Sequence, residues 1–440
     1  MPSRGGFVQR ITTCVAGLLV LALGGTVRAQ SLDSELAGLL TSHPQILAQM
    51  RNTEAAEQGV RKAFAGYLPK LDIYGQSGPQ YIDSPVLKSE GGGTWLSIAD
   101  MAGTRLTQNV FNGFATPAQV RSARLSREAS EFTLQSTRQN VLFDGIDAYL
   151  EVLRQSRLVA LAGESERTIR RQLHLEDERV QRGAGIAVDV LQAKSRLQVA
   201  MERRIGFEEG LADSTTRYIE VFGHPPLPSA MTEPMPPVEL LPATLEQALA
   251  AARQDNPAID SSLAGVAVAE QGKRLARAGY YPSLDVIAAA NRQNDTDLVR
   301  GTRTDASVLL SATWNLFDGF ATTAATKQAA AEYKAAQQNH DLVARDVARQ
   351  AHLAWSEWAT ARQRVTLLES AAATAAEVFD ARQKLREAGR ETVINVLDAE
   401  NEVYTARINL VQASGDASRA VYRLLQSMGR LGPEELGLAP

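Results

Sequence analysis

Apolar residues recur every seven positions in the last long segment of the chain. Two such rows run side by side; one contains Val396, Val403, Leu410, Ala417 and Leu424, and the other contains Leu397, Tyr404, Val411, Ser418 and Leu425. A sustained heptad pattern is typical of a helix that packs lengthwise against a neighbouring helix. The pattern therefore predicts a coiled-coil helix of about 35 residues after Gly389.

Two further segments are long and lack internal proline, one from Pro117 to Arg182 and one from about Thr323 to Ala388. Each predicts a single helix of about 66 residues, on the order of 100 Å long. Thr116 and Pro117 predict the start of the first helix, because threonine is a good N-cap and proline fits the first helical position. A break at Gly183 ends it, and a helix of about 35 residues follows.

A shorter helical segment of about 34 residues opens each half of the chain and stops at a Gly-x-x-Pro sequence that ends at Pro69 or Pro282. In the second half a different period follows. Apolar residues alternate with mostly polar neighbours, and they are Val308, Leu310, Ala312, Trp314 and Leu316. A period of two predicts a β-strand with one apolar face, and Phe317-Asp318-Gly319 predicts the turn that ends it.

The two halves of the chain repeat one pattern. Four blocks recur in the same order, at an offset of 213 residues for the first two and 206 for the others; they are His43-Pro44 with Asn256-Pro257, Tyr67-Leu68-Pro69 with Tyr280-Tyr281-Pro282, Asn109 to Thr116 with Asn315 to Thr322, and Asp189 to Ala193 with Asn395 to Ala399. Four matched blocks predict a duplication. The predicted organisation is a signal peptide (1–29), a first repeat (30–225), a Pro-rich linker (226–243), a second repeat (244–430) and a C-terminal tail (431–440).

The predicted fold class is mainly α with a small β part. Two helices of about 35 residues laid end to end match one of about 66, so each half pairs its long helix with two short ones and carries a strand pair at one end. Such a protomer needs further copies, because open sheet edges do not occur in lipid and bacterial barrels begin at eight strands. Two copies supply eight strands and three supply twelve, so the residues predict an oligomer and leave its number open.

The N-terminus predicts export. Residues 1–29 combine Arg4 and Arg10, a short apolar run and a Val27-Arg28-Ala29 ending, which is typical of a cleaved signal peptide. Its removal takes away three arginines and no acid, so the formal charge of the chain falls from −4 to −7. A chain with this net charge shows no excess of basic residues that would indicate nucleic-acid binding. The single cysteine, Cys14, lies inside this segment, so the mature chain is expected to contain no disulfide.

Catalytic chemistry finds no support in the residues. The five histidines are scattered without metal-ligand spacing, and no phosphate-binding loop or nucleophile elbow occurs. His43 and His224 each precede proline and are interpreted as residues at helix boundaries. We therefore expect no enzyme activity, no metal and no cofactor.

The duplicated halves, the helix lengths, the paired Asn-Leu-Phe-Asp-Gly-type junctions and the Gly389 to Ala399 stretch resemble the TolC family of outer-membrane efflux proteins. The resemblance implies a homotrimer with a twelve-stranded barrel in the outer membrane and a helical tunnel through the periplasm. It also implies a periplasmic adaptor (membrane fusion protein) and an inner-membrane transporter, driven by ATP (an ABC protein) or by protons. Type I protein secretion is modestly favoured over small-molecule efflux. The alternatives are a periplasmic coiled-coil adaptor, or a structural or adhesin protein.

The resemblance also assigns site residues. Family members carry carboxylates at the periplasmic constriction, and the matching positions are Asn395 and Asp398, with Asn395 departing from the usual Asp. Polar links near the same turn would latch the constriction shut; the candidates are Asp189, Arg386, Arg390 and Glu391. Aromatic residues near the strand ends suit a girdle at the membrane interface, with ordinary packing as the alternative; they are Trp95, Phe111, Phe114, Trp314, Phe317 and Phe320.

Overall fold

The structure is a computed structural model, and it describes residues 30–89 and 93–438. The predicted signal peptide lies outside the described residues. Helices dominate the rest, and four strands form one sheet. The fold class predicted from the sequence is therefore confirmed.

Each half opens with two helices instead of one continuous segment. The first half has α1 (Leu32–Ser42) and α2 (Pro44–Phe64), and the second has α6 (Leu245–Asp255) and α7 (Pro257–Arg277). Proline lacks an N–H and starts the second helix of each pair. The preceding side chains cap these helices: His43 accepts a hydrogen bond from the Gln45 amide and Asn256 from the Ala258 amide. The interpretation of His43 as a boundary residue is confirmed.

The long helices are α4 (Ala115–Gln181) and α8 (Ala321–Glu387), each of 67 residues, and α5 (Ala187–Phe222) and α9 (Val393–Ser427) follow them. The predicted cap at Thr116 is wrong. The side chain of Asn112 instead accepts from the Thr116 amide at 3.2 Å, and Asp318 accepts from the Thr322 amide at 2.8 Å. These side chains reach the helix starts because the chain turns sharply just before them, through Phe114 and Phe320 in the left-handed region.

The sheet is antiparallel in the order β1-β2-β3-β4, with β1 (Lys70–Ile82), β2 (Trp95–Asn112), β3 (Ser283–Thr296) and β4 (Val299–Thr313). A short helix, α3 (Pro85–Ser89), follows β1. β4 ends at Thr313, so the predicted strand is too long and Trp314 and Leu316 lie beyond it. Leu71 pairs with Leu106 and Val286 with Leu310 on one exposed apolar face, while Tyr74, Asn291 and Asp305 are linked by hydrogen bonds on the opposite face.

The helices form one layer in which α4 and α8 are the long members. α7 and α9 lie end to end between them, while α2 and α5 lie end to end along the other side of α4. The largest buried cluster lies at mid-height, where Tyr149 and Leu142 of α4 meet Leu425 of α9 and Ala252 of α6. No helix in the described ranges is long and apolar enough to cross a membrane.

Candidate functional site

Two equivalent turns lie at the end of the helical layer that is remote from the sheet. Gly183 and Gly389 adopt φ values of +77° and +71°, which favour glycine. In both turns the glycine N–H and the following N–H donate to carbonyls of the last helical turn; these are Val180 and Arg179 in one case, and Arg386 and Leu385 in the other. The two turns therefore keep one backbone design after the duplication.

A buried ion pair joins the two long helices beside these turns. Both carboxylate oxygens of Glu176 (α4) accept from Arg386 Nη2 (α8) at 2.7 Å, and Glu176 is 2% exposed. Arg386 Nη1 also donates to the backbone carbonyl of Glu391 at 2.9 Å, and Arg179 lies 3.2 Å from Glu176. Arg386 therefore connects α4 to the α8–α9 turn. The sequence singled out Arg386 but missed Glu176.

The start of α9 is held by its own polar side chains. Thr392 caps the helix by accepting from the Asn395 amide, while Glu391 Oε1 accepts from Asn395 Nδ2 at 2.5 Å and from the Thr392 amide at 3.0 Å. The hydrogen bond from Asn395 holds the pKa of the Glu391 carboxyl below its usual value, and the Thr392 amide adds to this effect. Asn395 thus positions the turn by donating a hydrogen bond from its NH₂ group to Glu391. An ionised Asp at this position has no donor and could not make this bond.

Asp398 is paired within its own chain. Its Oδ1 accepts from Arg196 Nη2 of α5 at 2.7 Å, and both side chains are about half exposed. A small buried cluster beneath the pair packs Val393 and Leu397 of α9 against Ile169 of α4 and Ala193 of α5. The sequence missed Arg196, since nothing in the pattern of α5 distinguishes this arginine from its other charged residues.

Two of the four predicted latch residues do not join this network. Arg390 is exposed, and Asp189 lies in the first turn of α5, where its charge favours the helix N-terminus. Neither side chain makes an ion pair or hydrogen bond to another residue that the structure describes. The geometry therefore brings Arg386 and Glu391 together and leaves Asp189 and Arg390 apart from them.

The six aromatic residues fall into two groups with different surroundings. Phe111 and Phe114 make an edge contact with ring centroids 5.2 Å apart, and Phe317 and Phe320 repeat it at 5.5 Å. Trp314 is exposed beside them. Trp95 differs, because it is only 8% exposed, donates to Ser97 Oγ and stacks under Arg300 on the polar face. Trp95 is therefore set apart from the other five residues predicted for an interface girdle.

Within residues 30–89 and 93–438, no group of His, Cys, Asp and Glu side chains is arranged to hold a metal ion. His340 contacts Ser262 of α7, and His224 contacts Glu35 of α1 and the rings of Tyr218 and Phe222, so both are engaged in contacts with neighbouring helices. The charged side chains near the helical turns can form and break ion pairs between helices, as Arg386 does with Glu176 and Arg196 with Asp398.

A model of the outer membrane efflux protein family matches residues 36–222 and 248–430, one range in each repeat. The chain is 27% identical over 339 residues to the outer membrane efflux protein BepC of Brucella suis, covering 76% of this chain and 73% of the relative. It is 24% identical over 442 residues to the alkaline protease secretion protein AprF of Pseudomonas aeruginosa, covering 98% and 91%. The crystal structure of the Campylobacter jejuni CmeC outer membrane channel superposes with a TM-score of 0.80 at 14% identity, covering 91% of this chain and 85% of that one.

Proposed function

The chain belongs to the outer membrane efflux protein family, and on that premise we propose that it forms the outer-membrane exit duct of a bacterial export system. Three copies would close their sheets into a twelve-stranded barrel and their helical layers into a periplasmic tunnel. The duct is passive, so it needs no catalytic step, cofactor or metal. The single observation that carries this proposal is the duplicated helical layer with a sheet whose outer face is apolar and exposed.

The edges of the protomer support assembly into a ring. α8 forms one edge and exposes Leu342, Leu353 and Leu367, which are 65%, 55% and 71% exposed. α5 forms part of the other edge and exposes Leu191, Val199 and Ile205. The surface area of 27500 Å² far exceeds the roughly 16,000 Å² expected of a compact monomer of this mass. Two different apolar edges make a head-to-tail contact, which closes as a ring when the rotation between protomers is a whole fraction of a full turn.

Membrane fractionation with an edge variant tests the duct. We expect wild type in the outer membrane as an oligomer that survives mild heating in detergent and yields its monomer on boiling. Leu367→Glu buries a charge in the contact and should abolish the oligomer, whereas Glu369→Lys, about 200° around α8, should keep it. A soluble wild-type monomer in the periplasm would instead favour an adaptor or a filament.

We place the constriction of the duct at Asp398 and Asn395, near the helical turns. Three copies of Asp398 would form an anionic ring, but each carries Arg196 at 2.7 Å. The ring is therefore close to charge balance, and the cation preference expected from Asp398 alone is reduced. Arg196 adds a residue to the constriction that the sequence did not reveal.

Reversal potentials in a salt gradient test this assignment. Asp398→Ala leaves three unpaired arginines and should shift selectivity toward anions, whereas Arg196→Gln leaves three carboxylates and should shift it toward cations. Glu220→Gln removes an exposed charge from α5 at about 36 Å along the helix from Arg196 and should leave selectivity unchanged. Equal selectivity in all four proteins would remove Asp398 from the constriction.

We further propose that the Arg386 network latches the constriction shut. Arg386 ties the α8–α9 turn to Glu176, and Glu391 fixes the start of α9. Asp189 and Arg390 would join the latch only through another protomer, because they lack partners within the described part of their own chain.

The partners proposed for the duct are a second and third copy of the chain, outer-membrane lipid, a periplasmic adaptor and an inner-membrane transporter. The name of AprF refers to protease secretion and that of BepC to efflux, so the relatives support both kinds of cargo. Type I protein secretion remains modestly favoured. The genes next to the coding sequence for this chain test it, since a protein cargo would be encoded beside its transporter.

A further inference from the structure

A basic cleft lies where the helices meet the sheet. α4 and α7 form its walls, and its volume is about 360 Å³. Three arginines line it beside the rings of Phe114 and Tyr281; they are Arg121, Arg274 and Arg277. Arg274 contacts Glu270 at 3.0 Å, but across 30–89 and 93–438 Arg121 and Arg277 have no acidic or hydrogen-bonding partner. The cleft therefore carries uncompensated positive charge.

A buried amide faces the same cleft without a partner. Gln271 is 4% exposed, and its Oε1 accepts no hydrogen bond from the part of the chain that the structure describes. The residues at heptad spacing from Gln271 are buried and apolar; they are Pro257 and Ala264 on α7 and Ala278 at its C-cap. An unsatisfied buried polar group is destabilising, so an amide here is explained by a ligand that completes its hydrogen bonds.

The cleft opens on the apolar side of the sheet. A bulge between Asn109 and Phe111 sets Phe111 opposite Leu284, and Leu284 shares a face with Val286, two residues along β3. Phe114 packs on Phe111 and lies 6.2 Å from Tyr281, measured between ring centroids. The wall of the cleft is thus continuous with the surface that would face lipid.

The height of the arginines matches a lipid headgroup. Arg121 lies seven residues after Phe114, about 10 Å further along α4, and Arg277 lies one turn before Tyr281. Aromatic side chains sit at headgroup level in membrane proteins, so with the sheet in the membrane these guanidinium groups would lie at or just below the phosphates of the nearer leaflet. α4 and α7 are inner members of the helical layer, so neighbouring protomers at α2, α5 and α8 leave the cleft open.

We propose that this cleft binds the phosphodiester headgroup of a membrane phospholipid. Arg121 and Arg277 hold the phosphate, because guanidinium groups form paired hydrogen bonds with phosphate oxygens. The acyl chains lie along Phe114 and the apolar face of the sheet. Gln271 completes the site, since its amide offers an oxygen to a headgroup donor or an NH₂ group to a phosphate oxygen. The inference rests on the proposed placement of the sheet in the membrane.

A comparison of the two halves of the chain supports a specific headgroup site at this junction. At the offsets of 213 and 206 residues, the counterparts of Arg277 and Arg121 are Phe64 and Lys327. The second copy of the junction therefore has no arginine pair, although the Phe317–Phe320 contact is kept. General attraction to the membrane surface would act on both copies, whereas a built headgroup site occurs in one.

Native mass spectrometry of the full-length detergent-purified protein tests the site, with dioleoylphosphatidylglycerol as the probe and dioleoylglycerol as the probe without phosphate. We expect wild type to retain up to one phospholipid per protomer and little dioleoylglycerol. Arg121→Gln with Arg277→Gln should lower retention by about tenfold or more, as expected for losing charge-assisted hydrogen bonds. Gln271→Leu keeps every charge and should also lower it, whereas Lys327→Gln should match wild type.

Equal retention by wild type and the double arginine variant would overturn the proposal, and so would unchanged retention by Gln271→Leu. Displacement of the lipid by millimolar inorganic phosphate would identify a free-anion site instead of a lipid site and would also overturn it. The oligomer and its conductance should be unchanged in all of these variants. Failure of the lipid site is therefore distinguishable from failure of the duct.

Discussion

The buried carboxylate of Glu176 depends on one partner from another helix. Arg386 supplies both of the 2.7 Å contacts and reaches across from α8, whereas Arg179 on α4 itself lies at 3.2 Å. Removing one partner of a buried pair is costly, about 3–5 kcal/mol, because the remaining charge is left uncompensated. The ion pair therefore makes the α8–α9 turn a place where a single substitution has a large local effect.

We predict that Glu176→Gln loosens this turn. Arg386 loses its carboxylate and with it the tie to α4, so limited trypsin digestion should cut after Arg386 or Arg390 several-fold faster than in wild type. The control is Glu178→Gln, whose partners Arg182 and His174 lie on the same helix. Equal cleavage rates in both variants would show that the Glu176 pair does not hold the turn.

A second buried carboxyl, Glu400, makes stability depend on pH. Burial raises the pKa of Glu400 above its ordinary value of 4.5, although Ser165 donates to it at 2.6 Å and Arg203 opposes the shift. Well below pH 4.5 the carboxyl is protonated in both folded and unfolded chains. Above it the unfolded chain ionises first, so stability is lost as pH rises toward the folded pKa.

Glu400→Gln removes this loss, since glutamine keeps an oxygen for Ser165 and never ionises. The melting temperature of the variant relative to wild type should therefore rise with pH above 4.5 and then level off. Glu402→Gln, at an exposed position two residues away, should show no such trend. A constant difference between Glu400→Gln and wild type across this range would contradict the burial argument.

At the scale of single residues, the sequence located the turns but not the partners. Arg386, Glu391 and Asn395 were found because they lie within one short stretch beside Gly389. Glu176 lies among Asp177, Glu178 and Arg179. Only packing distinguishes the buried member of such a run, and Arg196 was missed for the same reason.

Among the elements, the junctions between strand and long helix show how a duplicated sequence keeps one physical solution with different residues. Asn112 and Asp318 each bind the amide four residues ahead, at Thr116 and Thr322. Gly66 and Gly279 leave room for those threonines, since an added Cβ would lie 3.1 Å and 3.0 Å from them. The Gly-x-x-Pro sequence is therefore a packing requirement as well as a helix stop.

We predict that Asp318→Ala destabilises the start of α8 and lowers the melting temperature, as expected for losing a capping side chain. The measurement is the loss of helical circular dichroism on heating. Asp318→Asn reproduces the residue of the first half and should remain close to wild type. If Asp318→Asn were as unstable as Asp318→Ala, the carboxylate charge and not the cap would be responsible.

The lengths of the long helices were predictable because their segments contain no internal proline. Each segment also ends at a glycine that breaks the helix, Gly183 in the first half and Gly389 in the second. The C-terminal end of β4 was less predictable. Trp314 and Leu316 continue the alternation of β4 but have no partner strand, since β3 begins at Ser283 opposite Thr313. A period of two describes side-chain direction and cannot show where pairing stops.

For the whole molecule, the duplication explains why the described part of the chain has one long helix and two strands in each half. A single copy leaves β1 and β4 as open edges of its sheet and Leu367 exposed on α8. The residues predicted that further copies are needed because open sheet edges do not occur in lipid and four strands are too few for a bacterial barrel. The sequence could not give the number of copies in the oligomer, since ring closure depends on the angle between neighbouring protomers.

Single-channel conductance in a planar bilayer tests the central claim, a duct through the outer membrane that is closed at its helical end. We predict stepwise insertion of the wild-type oligomer with a small conductance, and a several-fold larger conductance for Glu176→Gln, while Glu178→Gln stays small. Wild-type protein that never inserts would contradict the duct. Insertion with a conductance that Glu176→Gln leaves unchanged would contradict the closure by Arg386.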